Sequence, residues 1–315
     1  MVMNRRVVIL GSINTDITAS AERLPAKGET VNGISIDMFG GGKGANQSIQ
    51  CAQLGLETYI IGMVGNDMQG DFVRKSLTDR KVDISRVLIS EECRTGCCSI
   101  YIDTRGDNML VYAPGANHHI ALSQIDENRE LIRSANVFIT QTEVNLDAVA
   151  YGLKTAHDAG VLTILNPAPA IPLPDEMFAT IDFFTPNETE SEVYTGILRT
   201  EMSLEEWEKR SVDWFLSRGV KNLCITMGEK GAFFSDGTEY LTVPSFPVRP
   251  VDTTAAGDSF HGGLAYGLAH GLSMEKTLQL GNACGGISTQ TLGAQNSIQD
   301  LETIRTFLKQ QGVSL

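Results

Sequence analysis

VFITQTEVNLDAVAYGLKTAHDAGVLTILN, residues Val137–Asn166, carries the pattern that decides the fold. Val137–Gln141 is an apolar run of strand length. Leu146–Gly160 places apolar residues at helical spacing and ends in glycine, which suits the left-handed residue that closes a helix. Leu162–Asn166 is a second apolar run. Strand, helix and strand at this spacing predict two parallel strands joined by a crossover helix. Apolar runs without polar alternation predict a sheet covered on both faces. Matching runs occur at Arg6–Leu10, Thr58–Val64, Phe183–Pro186 and Leu223–Met227, and a further helix is expected over Glu205–Gly219. The expected fold is therefore α/β, a doubly wound, mostly parallel sheet with helices on both faces.

Two regions break that rhythm. Ile17–Gly42 and Gly96–Gly115 read as shorter, alternating strands with polar turns, the second with a hairpin turn at Arg105-Gly106-Asp107. Paired, they would form a small β-sheet over the carboxyl ends of the parallel strands, where open α/β sheets bind ligands. The expectation is one domain over residues 1–315 with a lid made by insertions at about 13–42 and 96–115.

The 315 residues are 42% hydrophobic and 20% charged, ordinary for a globular chain with a sizeable core. Net charge is 25 − 38 = −13, which argues against a nucleic acid or an anionic membrane as partner. No stretch approaches the ~18 apolar residues of a membrane span. The run Val7–Leu10 is too short for a signal peptide. Six cysteines without zinc spacing read as reduced, and the expected location is cytoplasmic.

The strongest chemical signal is VDTTAAGDSFHGGLAYGLAHG, Val251–Gly271. Ala255, Ala256 and Gly257 precede Asp258 at a helix start, so unobstructed backbone N–H groups and the helix dipole form an anion site. Such donors suit a phosphoryl group in transfer. Asp258 beside them can accept a proton from an attacking hydroxyl; it also suits a plain helix cap. Phe39–Gln47, FGGGKGANQ, lacks the Ser or Thr of a P-loop and fits a dinucleotide fingerprint only loosely. Its glycines let backbone donors, Lys43 and Asn46 approach a polyhydroxy ligand. Asn14, Asp16 and Glu143 are expected at the carboxyl ends of strands, an assembly that suits sugar recognition because each hydroxyl both donates and accepts.

With these motifs the chain resembles the ribokinase, or PfkB-type, carbohydrate kinase family. GGGKGANQ (Gly40–Gln47) and DTTAAGDSFHGG (Asp252–Gly263) carry the likeness, with TPNETE (Thr185–Glu190) and TMGEKG (Thr226–Gly231) in the family order. GSINTD and NPAPA (Asn166–Ala170) are nearer the branch that gives the family its name than the adenosine or fructose-phosphate kinases. The resemblance spans essentially the whole chain. It implies ATP-dependent phosphorylation of the terminal hydroxyl of ribose or a related pentose. Asp258 would be the base, and the amides of Ala255, Ala256 and Gly257 the anion hole. Asn14, Asp16, Gly42, Lys43, Asn46 and Glu143 would hold the sugar. Asn187 would approach the nucleotide phosphates, and Glu190 would help place Mg²⁺ through water. Thr226, Gly228, Lys230, Gly231 and Asn282 would line the adenosine site. A monovalent-cation site, K⁺, would draw on Asp252, Thr254, Ser288, Thr291, Gly293 and Ser297. The resemblance also implies a homodimer through the lid.

Substrate choice is expected to lie in the lid, where alternation puts Cys98 and Ile100 on one face, against the sugar. Kinases for 2-deoxyribose, another sugar or a nucleoside stay open, as does a non-catalytic sugar-binding regulator. A dinucleotide-dependent dehydrogenase would need a glycine-rich turn after the first strand, and Gly11-Ser12-Ile13 is not one.

Overall fold

The computed structural model describes residues 5–315. In chain order the strands are β1 (Arg6–Leu10), β2 (Asn14–Ala21), β3 (Gly33–Gly41), β4 (Glu57–Gly65), β5 (Asp83–Ser90), β6 (Gly96–Asp103), β7 (Asn108–Ala113), β8 (Val137–Gln141), β9 (Leu162–Asn166), β10 (Phe183–Phe184), β11 (Asn222–Thr226), β12 (Ala232–Ser235) and β13 (Tyr240–Val243). The helices are α1 (Lys43–Gln53), α2 (Met68–Asp79), α3 (Leu122–Glu127), α4 (Arg129–Arg133), α5 (Leu146–Asp158), α6 (Asp175–Phe178), α7 (Glu188–Thr195), α8 (Leu204–Leu216), α9 (Ala256–His270), α10 (Met274–Ser288), α11 (Ala294–Ser297) and α12 (Leu301–Gln310).

Nine strands form the main sheet in the order β13-β12-β11-β10-β9-β8-β1-β4-β5. All neighbours from β11 to β5 run parallel, and β12 and β13 add an antiparallel edge. β1, RVVIL, shows why the strands lack polar alternation. Val8 and Leu10 enter one core with Phe138, Trp207 and Phe215; Val7 and Ile9 enter another with Phe260 and Leu264. Both faces are buried from Val7 to Leu10, so each of those positions is apolar. The three strands not expected, β5, β12 and β13, lie at or next to a sheet edge. There β5 and β13 meet solvent and need no continuous apolar run.

The order reverses between β1 and β8, opening the crevice at the carboxyl ends that such sheets use for ligands. A four-stranded second sheet, β3-β2-β6-β7, grows from that end. Paired residues share a face. One row therefore runs Phe39, Asp16, Cys98, Tyr112, and the next Asp37, Thr18, Ile100, Leu110. On the opposite face run Ile36, Ala19, Tyr101, Met109 and Met38, Ile17, Ser99, Val111.

Candidate active site

Asp258 lies in the first turn of α9 and is 6% exposed. It does not cap the helix. Ala255 holds the N-cap position, and the two Asp258 carboxylate oxygens accept from Asn46 Nδ2 at 2.8 Å and Gln47 Nε2 at 3.0 Å. Gln47 is itself fixed: its Oε1 accepts from Gln141 Nε2 at 2.7 Å, and its Nε2 lies 3.2 Å from Asn166 Oδ1. Sequence reasoning missed Gln47 and Gln141. The readable signal was a buried amide at the end of the apolar run Val137–Gln141 and another inside an apolar helix. Asn46, expected on the sugar, turns its amide to Asp258, while its own carbonyl oxygen is buried without a partner.

The turn before α9 is built by Asp252, whose Oδ1 accepts from the Thr254 N–H at 2.9 Å and hydroxyl at 2.6 Å. Ala255 then takes φ 63°, a left-handed conformation that costs a non-glycine residue about 1–2 kcal/mol. One expectation needs correction here. The Ala256 N–H is not free, since it donates to the Thr253 carbonyl at 3.2 Å and closes the turn. The first helical bond runs from Ser259 to Ala255. The N–H groups of Gly257 and Asp258, which come before it, have no hydrogen-bond partner among the described residues. Gly257 is exposed, and a Cβ built on it would meet nothing within 4 Å, so the helix start faces open space.

α1 delivers the facing groups. Gly42, at φ 90°, turns β3 into the helix, and a Cβ on Gly44 would stand 2.5 Å from the Gly11 carbonyl carbon. Only glycine lets α1 settle this closely on the end of β1. Glu143, just past β8, accepts from Ser12 Oγ at 2.6 Å and the Lys43 N–H at 3.3 Å, with Lys43 Nζ at 4.0 Å. Burial opposes the Lys43 charge, but Asp258, Glu143, Glu190 and Asp16 outweigh it and raise its pKa. Asp16 accepts no hydrogen bond among the described residues. Burial, then Glu143 and Asp258, push it from its ordinary 3.8 to about 6. It is an acceptor without a donor. Asn14 Oδ1 takes Asn117 Nδ2 at 2.7 Å. Cys98 lies beside Asp16 on the second sheet, and burial followed by Asp16 pushes its thiol to about 11, so it stays neutral. Ile100 stands one row further out, beside Thr18.

The remaining residues fall into two groups. Asn187 and Glu190 form a complete capping box at α7: Glu190 N–H donates to Asn187 Oδ1 and Asn187 N–H to Glu190 Oε2, each at 2.8 Å. Burial raises the Glu190 pKa, and the fields of Lys43 and Asp258 bring it into the same electrostatic site. Asn187 bridges to Thr226, where the turn Gly228–Lys230 follows β11. Lys230 Nζ lies 3.8 Å from Glu188. Gly231 packs so tightly on Val243 that a Cβ would stand 2.1 Å from its carbonyl oxygen. Asn282 lies behind this loop with its amide committed to the Val243 and Pro244 carbonyls at 3.0 and 3.1 Å, leaving only its oxygen for a ligand. In the second group, Asp252 Oδ2 accepts from the Gly293 N–H at 2.9 Å and draws together the loops at 252–254 and 288–293. Thr291 donates to the Ser288 carbonyl at 3.3 Å, while the Ser288 and Ser297 hydroxyls turn to the Gly285 and Ala294 carbonyls.

Residues 4–301 match the pfkB family carbohydrate kinase model. The ribokinase of Haemophilus influenzae is 33% identical over 98% of this chain and 99% of its own. A bifunctional ribokinase/ribose-5-phosphate isomerase A of Fructilactobacillus sanfranciscensis is 35% identical over 97% of this chain, which spans 56% of that longer protein. The structure of Arabidopsis thaliana ribokinase complexed with ribose and ATP superposes with a TM-score of 0.92 at 31% identity, covering 98% of this chain and 99% of that one.

Proposed function

The chain belongs to the pfkB family of carbohydrate kinases, and from that premise we propose that it transfers the γ-phosphoryl group of ATP to the 5-hydroxyl of D-ribose or a closely related pentose. One observation carries the reading. A buried carboxylate, Asp258, is fixed by Asn46 and Gln47 in the same first turn of helix as the unpaired N–H groups of Gly257 and Asp258. A base and an anion site thus share one turn of helix.

In the proposed reaction the sugar hydroxyl gives its proton to Asp258 as its oxygen bonds the γ-phosphorus. The bond from that phosphorus to the β–γ bridging oxygen breaks, and ADP leaves. The transition state is loose, so positioning and charge stabilisation outweigh proton removal. The Gly257 and Asp258 N–H groups and Lys43 would meet the developing charge. Asp16, with no donor of its own, would accept sugar hydroxyls alongside Asn14 and Glu143. Cys98 and Ile100 would wall the sugar, and Thr226–Gly231, Asn187 and the Asn282 oxygen would face the nucleotide.

Mg²⁺ suits Glu190, a carboxylate with one oxygen left outside its capping box and within the field of Asp258. When bound it would neutralise phosphate charge, with waters and phosphate oxygens completing its shell. K⁺ suits the hydroxyl and carbonyl oxygens at 252–254 and 288–293, whose loops Asp252 already ties to the start of α9; bound there, it would stiffen that turn. The second sheet would act as a lid and as the contact of a homodimer. The cysteines are free, which suits a reducing compartment, and we assign the enzyme to the cytoplasm.

The test is ADP release with Mg-ATP and K⁺ over a panel of ribose, 2-deoxyribose, other pentoses, fructose and nucleosides. Ribose is expected to give the highest kcat/KM, and Asp258→Asn to lose roughly 10²–10⁴ in kcat. No turnover of any pentose, or full activity in Asp258→Asn, overturns the reading.

A further inference from the structure

Tyr112 is the end of the row that begins at Phe39 and passes through Asp16 and Cys98. The row faces the crevice, because Asp16 within it feels Asp258 and Glu143. Tyr112 therefore looks the same way, from the outermost lid strand. Tyr112 is 40% exposed, yet its hydroxyl reaches the Glu143 main chain. The phenol oxygen lies 3.5 Å from the Glu143 main-chain carbonyl, with the Asn14 and Asn117 side chains beside it. Burial, then the Glu143 carboxylate, push the phenol up to about 12, so it keeps its proton at working pH. A 3.5 Å contact is long for an O–H donor, whose bonds cluster nearer 2.7–2.8 Å. The phenol oxygen is thus held by the Asn14 and Asn117 side chains, while its proton has only the long contact to the Glu143 carbonyl and stays available to a closer acceptor.

We propose that Tyr112 is a specificity-determining residue, whose phenol O–H donates to one non-reacting hydroxyl of the bound sugar from the lid side. The inference rests on the pentose reading above and adds a lid donor to a pocket whose expected side chains there, Cys98 and Ile100, are a neutral thiol and a hydrocarbon. The chemistry follows from the partners. Asp16 and Glu143 only accept, so they satisfy sugar protons, not sugar oxygens. A phenol donor opposite them completes a hydroxyl that is already donating to a carboxylate. It also ties the sugar to lid position, since Tyr112 reaches the sugar only when β7 lies over the crevice.

The experiment compares wild type with Tyr112→Phe, which removes the oxygen and leaves the ring, on ribose and each available monodeoxy ribose. KM for ribose is expected to rise ~3- to 10-fold, the worth of one neutral hydrogen bond, with kcat and the KM for ATP unchanged. One deoxy analogue, lacking the hydroxyl that Tyr112 reads, should show equal kcat/KM in the two enzymes. Unchanged ribose kinetics overturns the proposal. So does an equal loss on every analogue together with a raised KM for ATP, which would mean Tyr112 only steadies the lid. If the wild type turns over no pentose, the pentose reading falls first and this inference with it.

Discussion

At the scale of single residues, Gln47 holds the Asp258 carboxylate, the proposed base, in place without any need to touch substrate. Its amide reaches Asp258 while Gln141 holds its other end. Gln47→Ala should leave sugar and ATP KM nearly unchanged and lower kcat by roughly 10-fold or more, since a small misplacement of a reacting group is costly. Steady-state kinetics checks this; a loss confined to KM would contradict it. Asp16 makes a different prediction, about stability. Its folded-state pKa near 6 lies above its ordinary 3.8, so the folded chain holds that proton more tightly than the unfolded one. Below 3.8 both states are protonated and the site costs nothing; as pH rises to 6 stability is lost, and it stays lost above. Asp16→Asn should therefore stabilise the ligand-free protein by about 1–3 kcal/mol at pH 8 and by far less near pH 4, while raising sugar KM. Urea denaturation at both pH values reads the difference. The candidate Asp258 was legible because it stands in one contiguous motif. Gln141 was not, because its partner lies in another motif and only the packing of α1 on β8 joins them.

At the scale of elements, the start of α9 separates folding from function. Gly257 has ordinary φ, faces open space and lies in the first turn of a helix, where glycine is a poor residue. Gly257→Ala should therefore stabilise the fold by about 0.5–1 kcal/mol. The same methyl would fill the space in front of the unpaired N–H groups, so kcat/KM should fall. A thermal melt and one kinetic assay on the same variant check both; lower stability, or unchanged activity, would show that the open space is not the phosphate site. The buried strands β1, β8, β9 and β11 were legible in sequence because burial on two faces leaves an unbroken apolar run. β5 and β13 escaped because an edge strand looks like a polar loop. The Ala256 amide escaped for another reason. Whether a helix-start N–H is free depends on the turn before it, and that turn is set by the left-handed φ of Ala255, which an alanine does not announce.

At the scale of the molecule, the second sheet has a face to the crevice and an opposite face that packs on α2 only near its base, at Thr15, and lies bare further out. On the outer face Ile36 is 75%, Val111 65%, Met109 45% and Tyr101 43% exposed. They stand in two adjacent rows across four strands, a contiguous apolar patch on a chain of net charge −13. Such a patch, rimmed by polar surface, marks a contact, and a two-fold pairing buries the same patch from both copies. Ile36→Glu combined with Val111→Glu would place four carboxylates in the interface of a dimer, where an unpaired buried charge costs roughly 3–5 kcal/mol. Sedimentation velocity at micromolar concentration should show a dimer for the wild type and a monomer for the variant. Both substituted side chains point away from Asp16, so Asp258, α9 and α1 should be untouched and kcat largely kept. The sugar KM should rise instead, because the proposed lid, without its partner, would spend less time over the crevice. A wild type that sediments as a monomer at every concentration, or a variant that stays dimeric, would exclude this face as the contact.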